Sequence, residues 1–408
     1  LQHIVVAGIA YWLICFWTAS RQTAFVATLL FATSSTYYEV VTWVTGSNYS
    51  LLAIPYLLTL AFWGLYLRDH KPKWLIVMWV AFVIEMLLGE LTLSLPLVLL
   101  AYSFTLEWNH YSSKARVVRN LLPLLPLIVL FVGYFIVEVL FILHGTSEAA
   151  RSAHPYGPGV HMLGNLYYLV FLFVPDPNSP PIYNFLTRDL GISTSVIEAI
   201  SWLTKIAAAF GVLMSAYVFW RGSRLVRFAI LFVFLTFLPY TLWQGTYAGP
   251  PRYRYLPAIG VSILLALFLT KAHTRLSTTT KLRRIYLMTV PVIVTIMVAA
   301  NLGVTRVWIQ QHLANSTFRK TFVTRLAQHF AQVEPGAHLY IEIPAEKFVD
   351  LSGACYFVLR QPVHCQTIVS GSRSLEEVLS ETNGAPLYWL RASSQGIDQL
   401  YPPVSQIR

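Results

Sequence analysis

Apolar and polar positions along the chain alternate in long blocks, with about ten apolar runs separated by short polar connections. The runs fall at approximately 3–19, 22–33, 50–67, 74–88, 91–106, 119–143, 161–175, 198–220, 226–247, 253–270 and 285–304. A helix that crosses a bilayer needs about 20 residues, and most of these runs approach that length, so they predict membrane helices. The run 22–33 is short and is expected to continue as far as Val44. The run 161–175 is also short, and is expected to lie in the interface or to dip in without crossing. Beyond residue 304 the pattern changes. A predicted helix around Phe318–Val333 is followed by short strand-like runs at Leu339–Ile343, Cys355–Leu359 and Thr367–Val369. The predicted architecture is therefore mainly α. A polytopic helical membrane domain spans 1–304, and a small α/β domain spans 305–408.

Composition strengthens the membrane reading. Of the 408 residues, 56% are hydrophobic and 12% are charged. A soluble domain carries roughly 25% charged residues, so about half of the usual surface charge is missing. The aromatic share of 14% agrees with rings gathered at membrane interfaces. The formal net charge of +11 raises the question of nucleic acid. The basic residues, however, sit in tight clusters between apolar runs, as loop anchors do, and no basic stripe with interleaved aromatics appears. No nucleic-acid partner is expected.

The same clusters assign sides. Arg21; Arg68, Lys71 and Lys73; Lys114, Arg116 and Arg119; Arg221, Arg224 and Arg227; and Lys271, Arg275, Lys281, Arg283 and Arg284 make 15 of the 29 basic residues. The alternating connections hold four, Arg151, Arg188, Arg252 and Arg254. Under the positive-inside rule this places Glu39, Glu90, the loop 144–197 and Arg252–Tyr255 on the extracytoplasmic side. The last apolar run then delivers residues 305–408 to that side too. There, Cys355 and Cys365 either bridge neighbouring strands in an oxidising compartment or are two reduced buried thiols. The chain opens within an apolar stretch at Leu1, so further residues upstream are expected.

Carboxylates near membrane depth are the first candidates for chemistry. Glu90 lies in the tight turn Leu88–Leu91 and Glu39 in Tyr37–Trp43; each is read either as a functional carboxylate or as a structural one at a turn. Glu85 and Glu138 are expected to hydrogen-bond to neighbouring helices. The most distinctive stretch is Pro250–Pro257, where Arg252, Tyr253, Arg254 and Tyr255 stand together at a predicted helix mouth. Guanidinium groups match phosphate oxygens bidentately, so a phosphate grip is expected there, the alternative being that these Arg and Tyr side chains only anchor the helix end at the lipid headgroups. The long loop with His154 and His161 is a candidate substrate loop, and Asn48 is grouped with it. Two histidines seven apart are no metal signature, and no metal or cofactor is expected. Phosphate-binding, dinucleotide and nucleophile-elbow motifs are absent from the sequence.

Several of these segments, in order, resemble the membrane-embedded GT-C glycosyltransferases, and among them the transmembrane, tetratricopeptide-associated O-mannosyltransferase branch. In Ala27–Asn48 the matching positions are Glu39, Val41, Trp43 and Gly46, with Ser34 and Ser35 in place of a His-Pro and Ser47 in place of an Arg. In the hairpin Leu87–Glu90 only Glu90, with Pro96 beyond it, agrees. The stretch Arg252–Pro257 with Gly260 is the best match. The resemblance covers about 27–265; residues 305–408 lie outside it.

The resemblance implies transfer of a sugar from a polyprenyl-phosphate donor to an acceptor (glycan, lipid or protein) on the extracytoplasmic face. It further implies a catalytic carboxylate in an outer loop upstream of Leu1; if none precedes, either Glu39 or Glu90 substitutes or the protein is inactive. Arg252, Tyr253, Arg254 and Tyr255 would hold the donor phosphate. Membrane lipid surrounds such a protein, and a bacterial plasma membrane is expected, since two sequons are few for a eukaryotic secretory route. The alternative is a lipid or solute transporter or flippase without transferase activity. No paired halves with broken helices, expected of many transporters, are visible in the sequence.

Overall fold

The computed structural model describes the chain except residues 43–45, 108–120, 145–158, 174–176, 179–181, 184, 243–249, 277–279, 330–332, 345–350, 352–354, 356–357, 360–362, 372, 383–384, 394–396 and 402–408. Among the described residues the protein is mainly helical, with a small sheet near its C-terminus. It divides into two compact units, Leu1–Arg306 and Val307–Arg408.

The first unit contains α1 (Gln2–Thr18), α2 (Arg21–Ala32), α3 (Tyr38–Thr42), α4 (Asn48–Asp69), α5 (Pro72–Leu88), α6 (Leu95–Leu106), α7 (Leu125–His144), α8 (His161–Asn165), α9 (Thr194–Arg221), α10 (Arg224–Thr241), α11 (Tyr255–Leu276) and the start of α12 (Thr280–His329). Local chemistry sets several ends. The Ser20 hydroxyl caps α2 by accepting from Thr23 N, and Pro72 opens α5 where its missing N–H costs nothing. Ala19 and His70 close α1 and α4 in the left-handed region.

Five stretches among the described residues are long and apolar enough to cross a membrane: Asn48–Asp69, Thr194–Arg221, Arg224–Thr241, Pro251–Thr270 and Thr289–Gln328. Their packing differs sharply. Of the most apolar 18 residues in each, 78% are buried in Pro251–Thr270 and 67% in Asn48–Asp69, against 17% in Thr194–Arg221. On α9 the side chains of Trp202, Leu203, Ile206, Phe210, Leu213 and Trp220 are exposed. The central helices pack through small residues and hydroxyls. A Cβ on Gly260 of α11 would meet Val233 Cγ2 at 2.6 Å and the Ala229 carbonyl oxygen at 3.0 Å, so the glycine lets α10 and α11 close up. Trp63 Nε1 donates to Ser103 Oγ at 3.0 Å, tying α4 to α6.

Two expectations about helix bounds change here, and the short run 161–175 takes a definite form. The run 22–33 does not continue to Val44 as one helix: α2 stops at Ala32, and a 3₁₀ turn covers Ser35–Tyr37 before α3. Ser34 accepts from Thr36 N, and Ser35 donates its N–H and hydroxyl to Asn301 Oδ1 at 2.9 and 2.8 Å. Local hydroxyl caps and a distant amide therefore compete successfully with helix continuation. The run 161–175 forms α8 and a 3₁₀ segment, Leu166–Leu172. The expected helices 285–304 and 318–333 are one helix of 50 residues, because the Gln, Lys, Arg and Ala that end the apolar run are good helix formers.

In the second unit, Phe318, Phe322 and Leu326 lie on one stripe of α12, at spacings of four, and pack with Leu339, Ile341, Ile343 and Leu390. The sheet has the order β2-β1-β3-β4, with β1 (His338–Ile343) parallel to β2 (His364–Val369) and β3 (Leu387–Ala392), and β4 (Ile397–Tyr401) antiparallel to β3. On the other face α13 (Leu375–Glu381), opened by a Ser374–Glu377 capping box, buries Val378 among Tyr340, Ile368 and Trp389. The strand expected at Cys355–Leu359 is not one: residues 355 and 358–359 are helical. Cys355 and Cys365 form a disulfide, with Cα atoms 6.4 Å apart, joining this helical stretch to β2 rather than strand to strand.

Candidate functional site

A polar constellation of the first unit lies where α2 gives way to α3 and where a 3₁₀ turn, Pro251–Arg254, leads into α11. Pro250 and Pro251 fix the entry to that turn, since proline cannot continue an upstream helix but suits a first-turn position. Glu39 stands on α3 and Arg252 on the turn, 213 residues apart in sequence. They meet as an ion pair, Arg252 Nη1 to Glu39 Oε2 at 3.2 Å, with side chains 25% and 17% exposed. Burial pushes the Glu39 carboxyl above the usual carboxylate range, and the Arg252 and Arg254 guanidinium groups offset only part of that.

The four expected phosphate-gripping residues do not converge on one point; they fan out from the turn. The Arg252 guanidinium lies over the Tyr253 ring at 5.0 Å. Tyr253 stacks on Tyr240 of α10 at 4.1 Å and an interplanar angle of 12°, with Tyr49 edge-on at 5.8 Å. Arg254 turns inward, 5% exposed, with its guanidinium 5.1 Å from the Phe171 ring centroid. Tyr255 is buried against Tyr37 at 4.8 Å. Its hydroxyl lies 2.8 Å from His3 Nδ1, while His3 Nε2 lies 3.1 Å from the Ala32 carbonyl. A carbonyl only accepts, so Nε2 carries the proton and Tyr255 donates to Nδ1. Thus Arg252 alone of the two arginines faces the surface of this region, and two guanidinium groups stand against one carboxylate.

Two clefts adjoin each other nearby in the fold. One, of about 590 Å³, is lined by Ser34, Ser35, Thr36, Ser262 and Asn301 together with apolar side chains that include Phe173. The other, of about 620 Å³, runs between α9, α10, α11 and the 3₁₀ segment Leu166–Leu172; apart from Gly211 and Ser215 its walls are apolar side chains. Leu172, Phe173 and Val261 belong to both.

The remaining sequence candidates are dispersed. Asn48 is the exposed first residue of α4. Glu90 opens the 3₁₀ turn Glu90–Ser94, and its side chain, like that of Glu138, lies outside the described set. His161 opens α8 and donates from Nε2 to the Leu242 carbonyl at 3.2 Å, a structural tie between α8 and the end of α10. His154 lies outside the described residues, as does Trp43. Among the described residues no group of three or more His, Cys, Asp or Glu is placed to hold a metal ion.

Sequence reasoning named Glu39 and Arg252 separately but not as a pair, and it passed over His3, Tyr49 and Tyr240. Tyr240 follows Pro239 near the end of an apolar run, the kind of interfacial aromatic position that would have flagged it. Comparison of the chain with protein-family models, with curated proteins and with solved structures finds no match.

Proposed function

We propose that this protein is a polytopic membrane glycosyltransferase that moves a sugar from a polyprenyl-phosphate donor to an acceptor on the extracytoplasmic face. The observation that carries the reading is the Glu39–Arg252 pair, which joins the two segments that most resemble the GT-C enzymes. Support for a lipid environment comes from α9, whose exposed Trp, Leu, Ile and Phe side chains make an apolar face of the kind that marks a lipid or partner contact. The apolar groove beside α9 suits a prenyl chain.

In this account Arg252 binds the donor phosphate, and Arg254, buried behind it, contributes charge without contact. Arrival of a phosphate draws Arg252 away from Glu39. The freed carboxylate, already biased toward holding a proton by burial, accepts the proton of the acceptor hydroxyl. The acceptor oxygen bonds to the anomeric carbon as the bond from that carbon to the phosphate oxygen breaks. Polyprenyl phosphate leaves with its added negative charge stabilised by Arg252.

The test supplies sugar-labelled polyprenyl phosphates to membranes containing the protein. Transfer of label to a new acceptor, lost in Glu39→Gln and in Arg252→Ala, is the expected result. Passage of the intact donor across the bilayer with no cleavage would replace this reading with the flippase alternative.

A further inference from the structure

Glu85, near the end of α5, is fully buried and lies apart from the site above. Its Oε2 is hydrogen-bonded to the Thr92 hydroxyl, while among the described residues Oε1 has no hydrogen-bond partner. An ionised carboxylate sealed in this way, with one hydrogen bond and no ion pair among the described residues, is very costly.

The turn that follows α5 repeats one arrangement twice. Ser94 donates its hydroxyl proton to the Leu91 carbonyl at 3.0 Å, and its oxygen lies 2.9 Å from the Tyr56 hydroxyl of α4, so Tyr56 is the donor to Ser94. Thr92 likewise lies 3.0 Å from the Gly89 carbonyl, three residues back, and against Glu85. A hydroxyl has one proton to give. If Thr92 gives it to Gly89, as Ser94 gives its own to Leu91, then Glu85 must be the donor to Thr92.

We infer that Glu85 is a proton-binding site: a neutral carboxylic acid whose O–H donates to Thr92 and pins the turn Glu90–Ser94 to α5. The chain of donors is then complete, from Glu85 to Thr92 to Gly89, beside Tyr56 to Ser94 to Leu91. The oxygen left over is a neutral carbonyl, far cheaper to bury than a charge. From α4 the titratable group facing this turn is Tyr56, itself engaged with Ser94. The turn's own described side chains bring no charge. Loss of the proton would leave a buried anion with one donor and would free the Gly89 carbonyl from Thr92. The turn that carries Glu90 would therefore loosen as pH rises.

The experiment uses the full chain in membranes, reading the infrared C=O stretch of protonated carboxyl groups together with thermal unfolding. At neutral pH the wild type is expected to show a protonated-carboxyl band that disappears in Glu85→Gln. Glutamine supplies an N–H to Thr92 in the same place, so Glu85→Gln should unfold near the wild-type temperature and lose the alkaline decline. Glu85→Ala should unfold at a clearly lower temperature. An unchanged band in Glu85→Gln, or a glutamine variant as labile as the alanine one, would overturn the assignment.

Discussion

Removing the carboxylate of Glu39 or the guanidinium of Arg252 tests whether their meeting is an energetic feature or a crossing of side chains. The groups lie 3.2 Å apart with roughly four-fifths of each side chain buried. At an effective dielectric of about 20, two unit charges at that separation attract by about 5 kcal/mol. Desolvation of two partly buried ions offsets most of this, while an exposed pair is worth about 0.2–1 kcal/mol. A net coupling of about 1–2 kcal/mol is expected. The assay is a double-mutant cycle over Glu39→Gln, Arg252→Gln and both together, read as unfolding free energy in detergent micelles. Each single variant should cost about 2 kcal/mol, since each strands a mostly buried partner, and the double variant should cost less than their sum. Additive losses, with coupling below about 0.3 kcal/mol, would refute the claim that the pair fastens α3 to the 3₁₀ turn.

Other consequences are open to measurement. Brominated lipids should quench Trp202 and Trp220, exposed on α9, and leave the buried Trp63 untouched; single-tryptophan variants check this. Gly260→Ala drives a methyl group against Val233 and the Ala229 carbonyl and should destabilise by about 1–3 kcal/mol, whereas Gly303→Ala, with no neighbour within 4 Å, should be neutral or slightly stabilising in thermal melts. Reducing the Cys355–Cys365 disulfide, which closes a sequence separation of 10, should cost the C-terminal unit about 2.5–3 kcal/mol in denaturant unfolding. Although burial pushes the Glu342 carboxyl up, the Ser370 hydroxyl, Arg391 and the Gly371 N–H bring it below the usual range. The native state therefore holds fewer protons there than the unfolded chain. That stability is fully present above the ordinary carboxylate range and is lost as pH falls through the lowered value; acid titration of the wild type against Glu342→Gln should show the variant lacking this part of the acid decline.

Much of the helical unit was legible because an apolar run in a nearly charge-free chain has few alternatives to a helix. What escaped was decided at a distance. The break after Ala32 depends on Asn301 accepting from Ser35, a partner no local pattern announces. Continuity of α12 through residue 305 was missed for the opposite reason: the hydropathy changes there while helix propensity does not. In the C-terminal unit β1 and β2 were readable from their apolar runs, whereas β3, Leu387–Ala392, was passed over although Arg391 is its one charged residue. The two halves of the candidate site were visible as unusual residues, Glu39 in an aromatic segment and Arg252 among prolines and tyrosines. Their pairing was not, because spacing carries no information about contacts made across 213 residues.

The measurement closest to the central claim counts products in proteoliposomes given a polyprenyl-phosphate sugar and an acceptor mixture. The account predicts one free polyprenyl phosphate for each sugar transferred, with the rate reduced about 10- to 100-fold by Arg252→Ala, the range expected for losing a charge-assisted hydrogen bond. Donor that stays intact in wild-type vesicles, or cleavage indifferent to Arg252, would contradict it.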